Sequence, residues 1–369
     1  MKSPFPWFGG KSKAASLIWS RLGSECGNYV EPFFGSGAVW HNRPSSFSGW
    51  AVVNDLDGNL ANVWRAMQRD PDAVAEAACW PVNEADLHAR HLWLVRNLPA
   101  LSARLMADPE YHEPRTAGWW IWGACCWIGG GWCSGSGAWG TVQDSEGVPV
   151  FAMAEGDGVH RQIPDLGDAG KGVNRKIPNL GNAGKGVNRQ IPDLGDAGKG
   201  VHRQIPNLGN SGKGVHRQIP NLGNAGKGVN RPTGDRHAWI RAWFADLSKS
   251  LEGVRVCCGD WERVCSVGTM TRNGTCAVML DPPYSQTEAV YAHDSSTVSH
   301  DVRKWCLANG HDKRLRIALC GHKGEHEALE AHGWTVETWA KGGGYQGADD
   351  RERIWFSPFC VQPYRDLFA

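Results

Sequence analysis

Residues 158–227 are five copies of a 14-residue unit, GV(H/N)R(Q/K)IP(D/N)LG(D/N)(A/S)GK, followed by a partial sixth that ends at Arg231. Each copy carries three glycines and one proline, which excludes a long helix or a central strand. The apolar positions, Val159, Ile163 and Leu166 in the first copy, suit only a thin stacked core. A turn-rich solenoid or a ribbon of loops fits such a segment better than a free-standing domain. The compact core must therefore come from the rest of the 369 residues, which are enough for one with inserted segments.

Charge divides along the same boundary. The chain carries a net +1, yet residues 158–231 hold 12 Lys and Arg against 4 Asp and Glu, a balance of +8 that leaves −7 for the remainder. A local basic segment in a mildly acidic chain is the asymmetry expected of a surface that meets a polyanion. Arg161, Arg175, Arg189, Arg203, Arg217 and Arg231 recur every 14 residues, as do Lys171, Lys185, Lys199, Lys213 and Lys227. If the units stack, these form a cationic row that tracks phosphates without reading bases. A copy-number-variable spacer with solvated charges fits the same pattern. No apolar run approaches the ~20 residues of a membrane helix, and MKSPFPWFGGK lacks the apolar stretch of a signal peptide, so cytoplasmic residence is expected. The 12 cysteines include the adjacent pairs Cys125-Cys126 and Cys257-Cys258 and no CxxC. They read as reduced, small core residues, not as a disulfide framework or a zinc site.

The outer parts of the chain alternate strand, turn and helix, the pattern of an α/β sheet. Residues 12–22 predict an amphipathic helix with Ser12 as its cap, and NYVEPF a short strand. GSGAVW reads as a glycine turn entering a helix, and WAVVN as a strand leading into DLDGNLANVWRAM, where Leu60, Val63, Trp64 and Met67 repeat at helical spacing. A helix over 234–251 and strands at VRVCC, AVMLDPPY, RLRIALCGH, WTVETW and RERIWFSP resume the pattern. Between them, residues 83–107 predict a helix, followed by a stretch with Trp119, Trp120, Trp122, Trp127, Trp132 and Trp139 among glycines. Those tryptophans read first as a buried helix on the core of the insertion, and second as base-stacking faces. The division expected is 1–69 and 232–369 for the core, 70–157 for a helical insertion and 158–231 for the repeat array.

Asp281–Tyr284, DPPY, follows the apolar run AVML and so falls at the carboxyl end of a strand, where open α/β sheets bind ligands. An aromatic amine is a poor nucleophile because its lone pair is delocalised into the ring. The Asp281 carboxylate accepts one amino hydrogen and the Pro282 carbonyl the other, which turns the nitrogen toward tetrahedral geometry and aims its lone pair at a methyl donor. Pro282 and Pro283 fix a rigid backbone without donors, and Tyr284 offers a face on which a flipped base stacks. EPFFGSG (Glu31–Gly37) is a strand with a Gly-x-Gly turn that permits close approach of a cofactor, and NDLDGN sets Asp55 where a carboxylate meets ribose hydroxyls.

The ordered set PWFGGK, EPFFGSG, NDLDGN and DPPY resembles the Dam-like class of adenine-specific DNA methyltransferases, and is similar in particular to versions from actinobacterial phages. The resemblance covers 1–69 and 235–369, with 70–150 close to the phage versions. It implies a Rossmann-like, S-adenosylmethionine-dependent methyltransferase core, α/β in class, with an inserted helical target-recognition region and a turn-rich repeat array. It implies cofactor contacts from Trp7, Gly9, Gly10, Lys11, Glu31, Phe33, Gly35, Gly37 and Asp55, and from Asp260 in CCGDW, with Asp281 catalytic. S-adenosylmethionine would lie between the glycine loop and PWFGGK, DNA would be the substrate, and neither a metal nor a covalent enzyme intermediate is needed. The same polarising logic serves the exocyclic amine of cytosine or an RNA base; the leading Asp favours adenine by resemblance only. A DNA-binding protein that has lost catalysis is the alternative from another class, against which the intact Asp281–Tyr284 motif argues.

Overall fold

The computed structural model describes residues 2–7, 9–127, 132–133, 141–143, 149–151, 236–284, 297–338 and 352–362. Seven strands form one sheet: β1 (Asn28–Glu31), β2 (Trp50–Asp55), β5 (Val254–Cys258), β6 (Cys276–Leu280), β7 (Leu315–His322), β8 (Thr335–Thr338) and β9 (Glu352–Phe356), in the order β5-β2-β1-β6-β7-β9-β8. The first five in that order pair in parallel, and β9 runs antiparallel to both β7 and β8. A separate hairpin joins β3 (Thr141–Gln143) to β4 (Pro149–Phe151) and was not foreseen from sequence.

Alternation along the strands builds two cores, one on each face, as parallel sheets require. Tyr29, Val53, Val256, Ala277, Met279 and Ala318 face one cluster, whereas Val30, Val278, Leu280, Ile317 and Leu319 face the other. The first cluster is covered by α1 (Ala15–Leu22), α2 (Gly58–Arg69), α3 (Pro71–Ala78), α5 (Pro114–Cys126) and α6 (Arg236–Ser250). The second is covered by the short α7 (Val267–Met270) and by α8 (Val298–Asn309). All five residues of β6 are buried, which explains why it reads as an uninterrupted apolar run.

Three local expectations are corrected. Helix α1 starts at Ala15 with Ala14 at its N-cap and no side-chain capping bond, so Ser12 does not cap it. The turn GSGAVW leads into a single 3-10 turn, Trp40–Asn42, and not into an α-helix. Arg43 precedes Pro44 and is extended, with ψ 149°, as a residue before proline prefers, and this stops the helix before it forms a second turn. The tryptophans of α5 do not sit in a core of their own: Trp120, Ile121 and Trp122 join the main cluster with Leu60, Trp64 and Val74. The twelve cysteines are free and mostly buried, as small core residues.

The 24-residue α4 (Glu84–Ala107) is capped at its start by Asn83, whose side chain accepts from Asp86 N–H. Its other end is held by a residue from α2. Arg65, 5% exposed, donates to the Val256 carbonyl of β5 and, through Nη1, to the carbonyls of Leu105, Asp108 and Tyr111. A guanidinium there satisfies the last carbonyls of α4 and its negative dipole end while tying the helix to the sheet. Arg65→Met should therefore lower unfolding free energy by roughly 2–4 kcal/mol, because buried carbonyls lose a charged donor. Arg69→Met, at an exposed ion pair with Glu110, should cost under about 1 kcal/mol. Urea titration of both variants measures the difference.

Candidate active site

Strand order reverses between β1 and β6, and ligands of open α/β sheets bind outside the carboxyl ends of strands at such a point. Along this edge β2 ends at Asp55, β1 at Glu31, β6 leads into Asp281, and β7 ends at His322, which pairs in register with Glu352 of β9. Lys11 enters this row of carboxylates from the N-terminal segment. It is 4% exposed; its Nζ lies 2.9 Å from Asp281 Oδ2 and donates to the Gly9 carbonyl at 2.9 Å. The Tyr284 hydroxyl donates to Asp281 Oδ1 at 3.2 Å, and its ring has Lys11 Nζ 5.3 Å from its centroid and His322 at 4.4 Å. Both oxygens of Asp281 are thus held, one by an ammonium and one by a phenol.

Burial works to lower the pKa of Lys11, but the neighbouring Asp281 carboxylate, with Cys320 and Glu352, carries it above the ordinary lysine value. Burial pushes the Glu31 carboxyl well above the usual range, against the Tyr29 hydroxyl that donates to it at 2.8 Å and with the charges of Asp281 and Asp55 adding to the rise. Burial and Asp281 likewise raise the Tyr284 phenol, which stays a donor.

Three loops of the edge are stitched together. Gly35 N–H donates to Asp55 Oδ2 at 2.8 Å, Asp57 N–H to Asp55 Oδ1 at 3.0 Å, and Trp64 Nε1 to the Gly35 carbonyl at 2.8 Å. Asn54, 1% exposed, donates to the carbonyls of Pro32 and Gly259, and its own carbonyl accepts from Phe34 N–H. Gly35 sits at φ 47°, where a Cβ would come 2.8 Å from Trp7 Nε1, so only glycine lets the loop turn beneath that ring. Gly37 and Gly9 also have positive φ, and Gly10 lies against the Trp7 carbonyl and Ser36. Burial lifts the Asp55 carboxyl to about 7, with Asp57 adding to the rise and the backbone donors opposing it.

The wall beyond β5 is aromatic. Phe33 stacks on Trp261 at 6.1 Å and 28°, and Leu56 is 47% exposed beside Asp55. Asp260 is exposed and accepts from Glu262 N–H at 2.8 Å, capping the turn that carries Trp261. The structure therefore gathers Trp7, Gly9, Gly10, Lys11, Glu31, Phe33, Gly35, Gly37, Asp55, Asp281, Pro282, Pro283 and Tyr284 on one edge, with Asp260 at its rim. The six repeat arginines from Arg161 to Arg231, and Trp139, lie outside the described residues. Sequence reasoning missed Asn54, Trp64, Trp261, His322 and Glu352. Asn54 was visible inside NDLDGN and Trp261 inside CCGDW; Trp64, His322 and Glu352 occupy a helix face or strand ends that no motif marks. Among the described residues, no group of three or more His, Cys, Asp or Glu is placed to hold a metal ion, and no helix is long and apolar enough to cross a membrane.

A carboxylate and a glycine loop thus meet at the reversal point of a mixed α/β sheet. Residues 7–87 match a family described as D12 class N6 adenine-specific DNA methyltransferase. The match runs from Trp7 through Lys11, the glycine loop and Asp55 into α4, and it identifies the activity as adenine-specific methylation of DNA. No curated protein matches the chain.

The raised Asp55 has a thermodynamic consequence. Its folded-state value of about 7 lies above the ordinary 3.8, so between these the folded chain holds a proton that the unfolded chain has released. Its contribution to stability is complete below the lower value and is lost as pH rises through the upper. Asp55→Asn should therefore gain stability relative to the natural protein as pH rises from about 4 to about 7, with a constant difference above that. Denaturation midpoints across that range give the difference; parallel curves would show that Asp55 ionises freely in the fold.

Proposed function

We propose that adenine methylation by this chain takes place at Asp281, with S-adenosylmethionine as donor held against the glycine loop and the PWFGGK segment. The supporting observation is the position of Asp281. It stands at the sheet's reversal point, bound by Lys11 and Tyr284, next to a loop whose backbone is fixed by Asp55. Methyltransferases of the matched family generally use this donor. The residues present fit it: the aromatic pair Phe33–Trp261 offers an apolar wall, and the Asp55 and Asp281 side chains stand at the same edge of the sheet to meet the donor's polar groups. Asp55 would meet the ribose hydroxyls, and Trp7, Gly9, Gly10, Lys11, Glu31, Phe33 and Asp260 would line the remainder. Bound S-adenosylmethionine supplies an electrophilic methyl group on a sulfonium.

The chain's own residues prepare the nucleophile. An adenine in a duplex is out of reach, so the base leaves the stack and enters the cleft. Asp281 accepts one hydrogen of the amino group and the Pro282 carbonyl accepts the other, which draws the nitrogen lone pair out of conjugation. Tyr284 and Lys11 hold the Asp281 carboxylate in orientation while this occurs, and the Tyr284 ring packs beside the base. The surplus proton leaves through Asp281, whose carboxylate lies at the open edge of the sheet, 23% exposed. In this reading the chain is Dam-like, similar to the phage versions, with a Rossmann-like core. The region 70–157 serves target recognition, and the repeat arginines add phosphate contacts.

Asp281→Ala should abolish formation of N6-methyladenine while the dissociation constant for S-adenosylmethionine stays within about tenfold, since the carboxylate acts on the amine and not on donor affinity. Mass spectrometry of digested DNA reads the first and calorimetric titration the second. Methylation by the Ala variant at a near-natural rate would remove Asp281 from the mechanism.

A further inference from the structure

Behind the DPPY turn the structure buries a group of polar side chains that the mechanism leaves unused. His322 at the carboxyl end of β7, Glu325 and His326 in the turn after it, and Glu352, the register partner of His322 on β9, are none of them more than 5% exposed. Burial of four such groups at one strand end costs stability. The turn fixes the backbone of His322. Its N–H donates to Glu325 Oε2 at 2.7 Å, and its carbonyl accepts from Glu325 N–H at 3.1 Å. Arg303 of α8 donates to the Glu325 carbonyl, and the His326 ring meets Trp355 of β9 edge-on at 5.1 Å. A Cβ at Gly321 would come 2.5 Å from the His326 ring and 3.0 Å from Glu325 Oε2, so strand end and turn pack without spare room.

This rigid strand end presents the His322 ring to the site. Its centroid lies 4.4 Å from that of Tyr284, at an interplanar angle of 59°. Strands β6 and β7 are parallel neighbours paired through Leu280 and Leu319, so one leads into Asp281 and Tyr284 while the other carries the ring beside them. The direction of the Tyr284 phenol is critical here. It donates to Asp281 Oδ1 at 3.2 Å, longer than the roughly 2.8 Å usual between oxygens, so a small swing of the ring makes or breaks the bond. The Lys11 ammonium, 5.3 Å from the centre of the same ring, ends a flexible stem and is bonded to Asp281 Oδ2 and the Gly9 carbonyl. His322 projects from a strand.

We infer that His322 is a positioning residue for methyl transfer, whose ring sets the plane of Tyr284 so that the phenol holds Asp281 toward the amino group. The contact between the two rings does this, and not a hydrogen bond from the imidazole. Aromatic pairs settle in tilted or edge-on arrangements, which confines the Tyr284 ring to a narrow range. A catalytic group displaced by ~1 Å loses roughly a hundredfold in rate, so a narrow range matters. The inference rests on the reading of Asp281 as the group that acts on the adenine amine.

The test is the single-turnover rate of N6-methyladenine formation on unmethylated genomic DNA, with the full chain in excess and S-adenosylmethionine saturating. His322→Gln keeps a polar side chain of similar reach without the ring, and His322→Phe keeps a ring without the polar atoms. The Gln variant should lose about tenfold or more in rate, with the dissociation constant for S-adenosylmethionine within about threefold. The Phe variant should stay within about threefold of the natural rate. In a Tyr284→Phe background, where no phenol is left to aim, His322→Gln should cost less than about threefold more. A natural rate in the Gln variant overturns the inference. So does a loss in Phe that Gln spares, which marks a hydrogen-bonding role. Equal losses in both variants, or the same loss by Gln with and without the phenol, mark a merely structural role and overturn it too. Near-natural methylation by Asp281→Ala would instead overturn the reading beneath it, and that result is measured with His322 unchanged.

Discussion

The contact between Lys11 and Asp281 is the interaction on which the site depends. Four carboxylates stand along one edge of the sheet, and burial pushes those of Glu31 and Asp55 above the usual carboxylate range. The Lys11 ammonium, 4% exposed and bonded to Asp281 and to the Gly9 carbonyl, supplies a compensating charge at the point where strand order reverses. Removing one partner of such a pair leaves the other without compensation, and that accounts for the position of an N-terminal lysine deep beneath the DPPY turn. Tyr284 completes the clamp from the other side of the carboxylate.

Topology brings these residues together from distant parts of the chain. Asp281 follows β6 and Glu31 ends β1, and the two strands are neighbours although 250 positions separate these residues; Asn28 pairs with Cys276 and Val30 with Val278. Asn54 and Asp55, at the end of β2, then bind the loops after β1 and β5 into one rigid rim. In the proposed mechanism this rigidity matters, because a carboxylate that polarises an amine must keep its direction while a flipped base enters. The segments that frame this edge are tied to it by side-chain bonds to backbone groups, a device that holds irregular backbone as firmly as a strand.

The seven strands of the main sheet were legible, most of them as apolar runs with a turn residue after them, and the acidic and glycine residues at their ends stood out against that background; the β3–β4 hairpin was not legible. Helix α2 showed its 3.6-residue period, and the segments 83–107 and 234–251, read as helices, correspond to α4 and α6. What failed was local and had a physical cause. The segment after Gly37 lacks the room to continue as a helix before Pro44, and Ser12 lies inside a turn in which Ala14 N–H donates to the Lys11 carbonyl. Trp120 and Trp122 were recognised as core, but sequence does not tell which core, and they joined the one beneath α2. His322 and Glu352 were invisible because their proximity to Asp281 arises from register between β7 and the antiparallel β9, which no short motif encodes. Asp55 was legible as an acid after a strand, whereas its second task, accepting Gly35 and Asp57 N–H, required coordinates.

The account makes Lys11 and Asp281 one unit, and a double-mutant cycle on stability tests that most directly. Lys11→Met and Asp281→Asn are each expected to destabilise the fold, because each leaves the opposite charge without its partner. The double variant should be more stable than the sum of the two losses predicts, by more than about 1 kcal/mol. Losses that simply add would contradict the account, since they would show that the ammonium and the carboxylate act independently at the reversal point of the sheet.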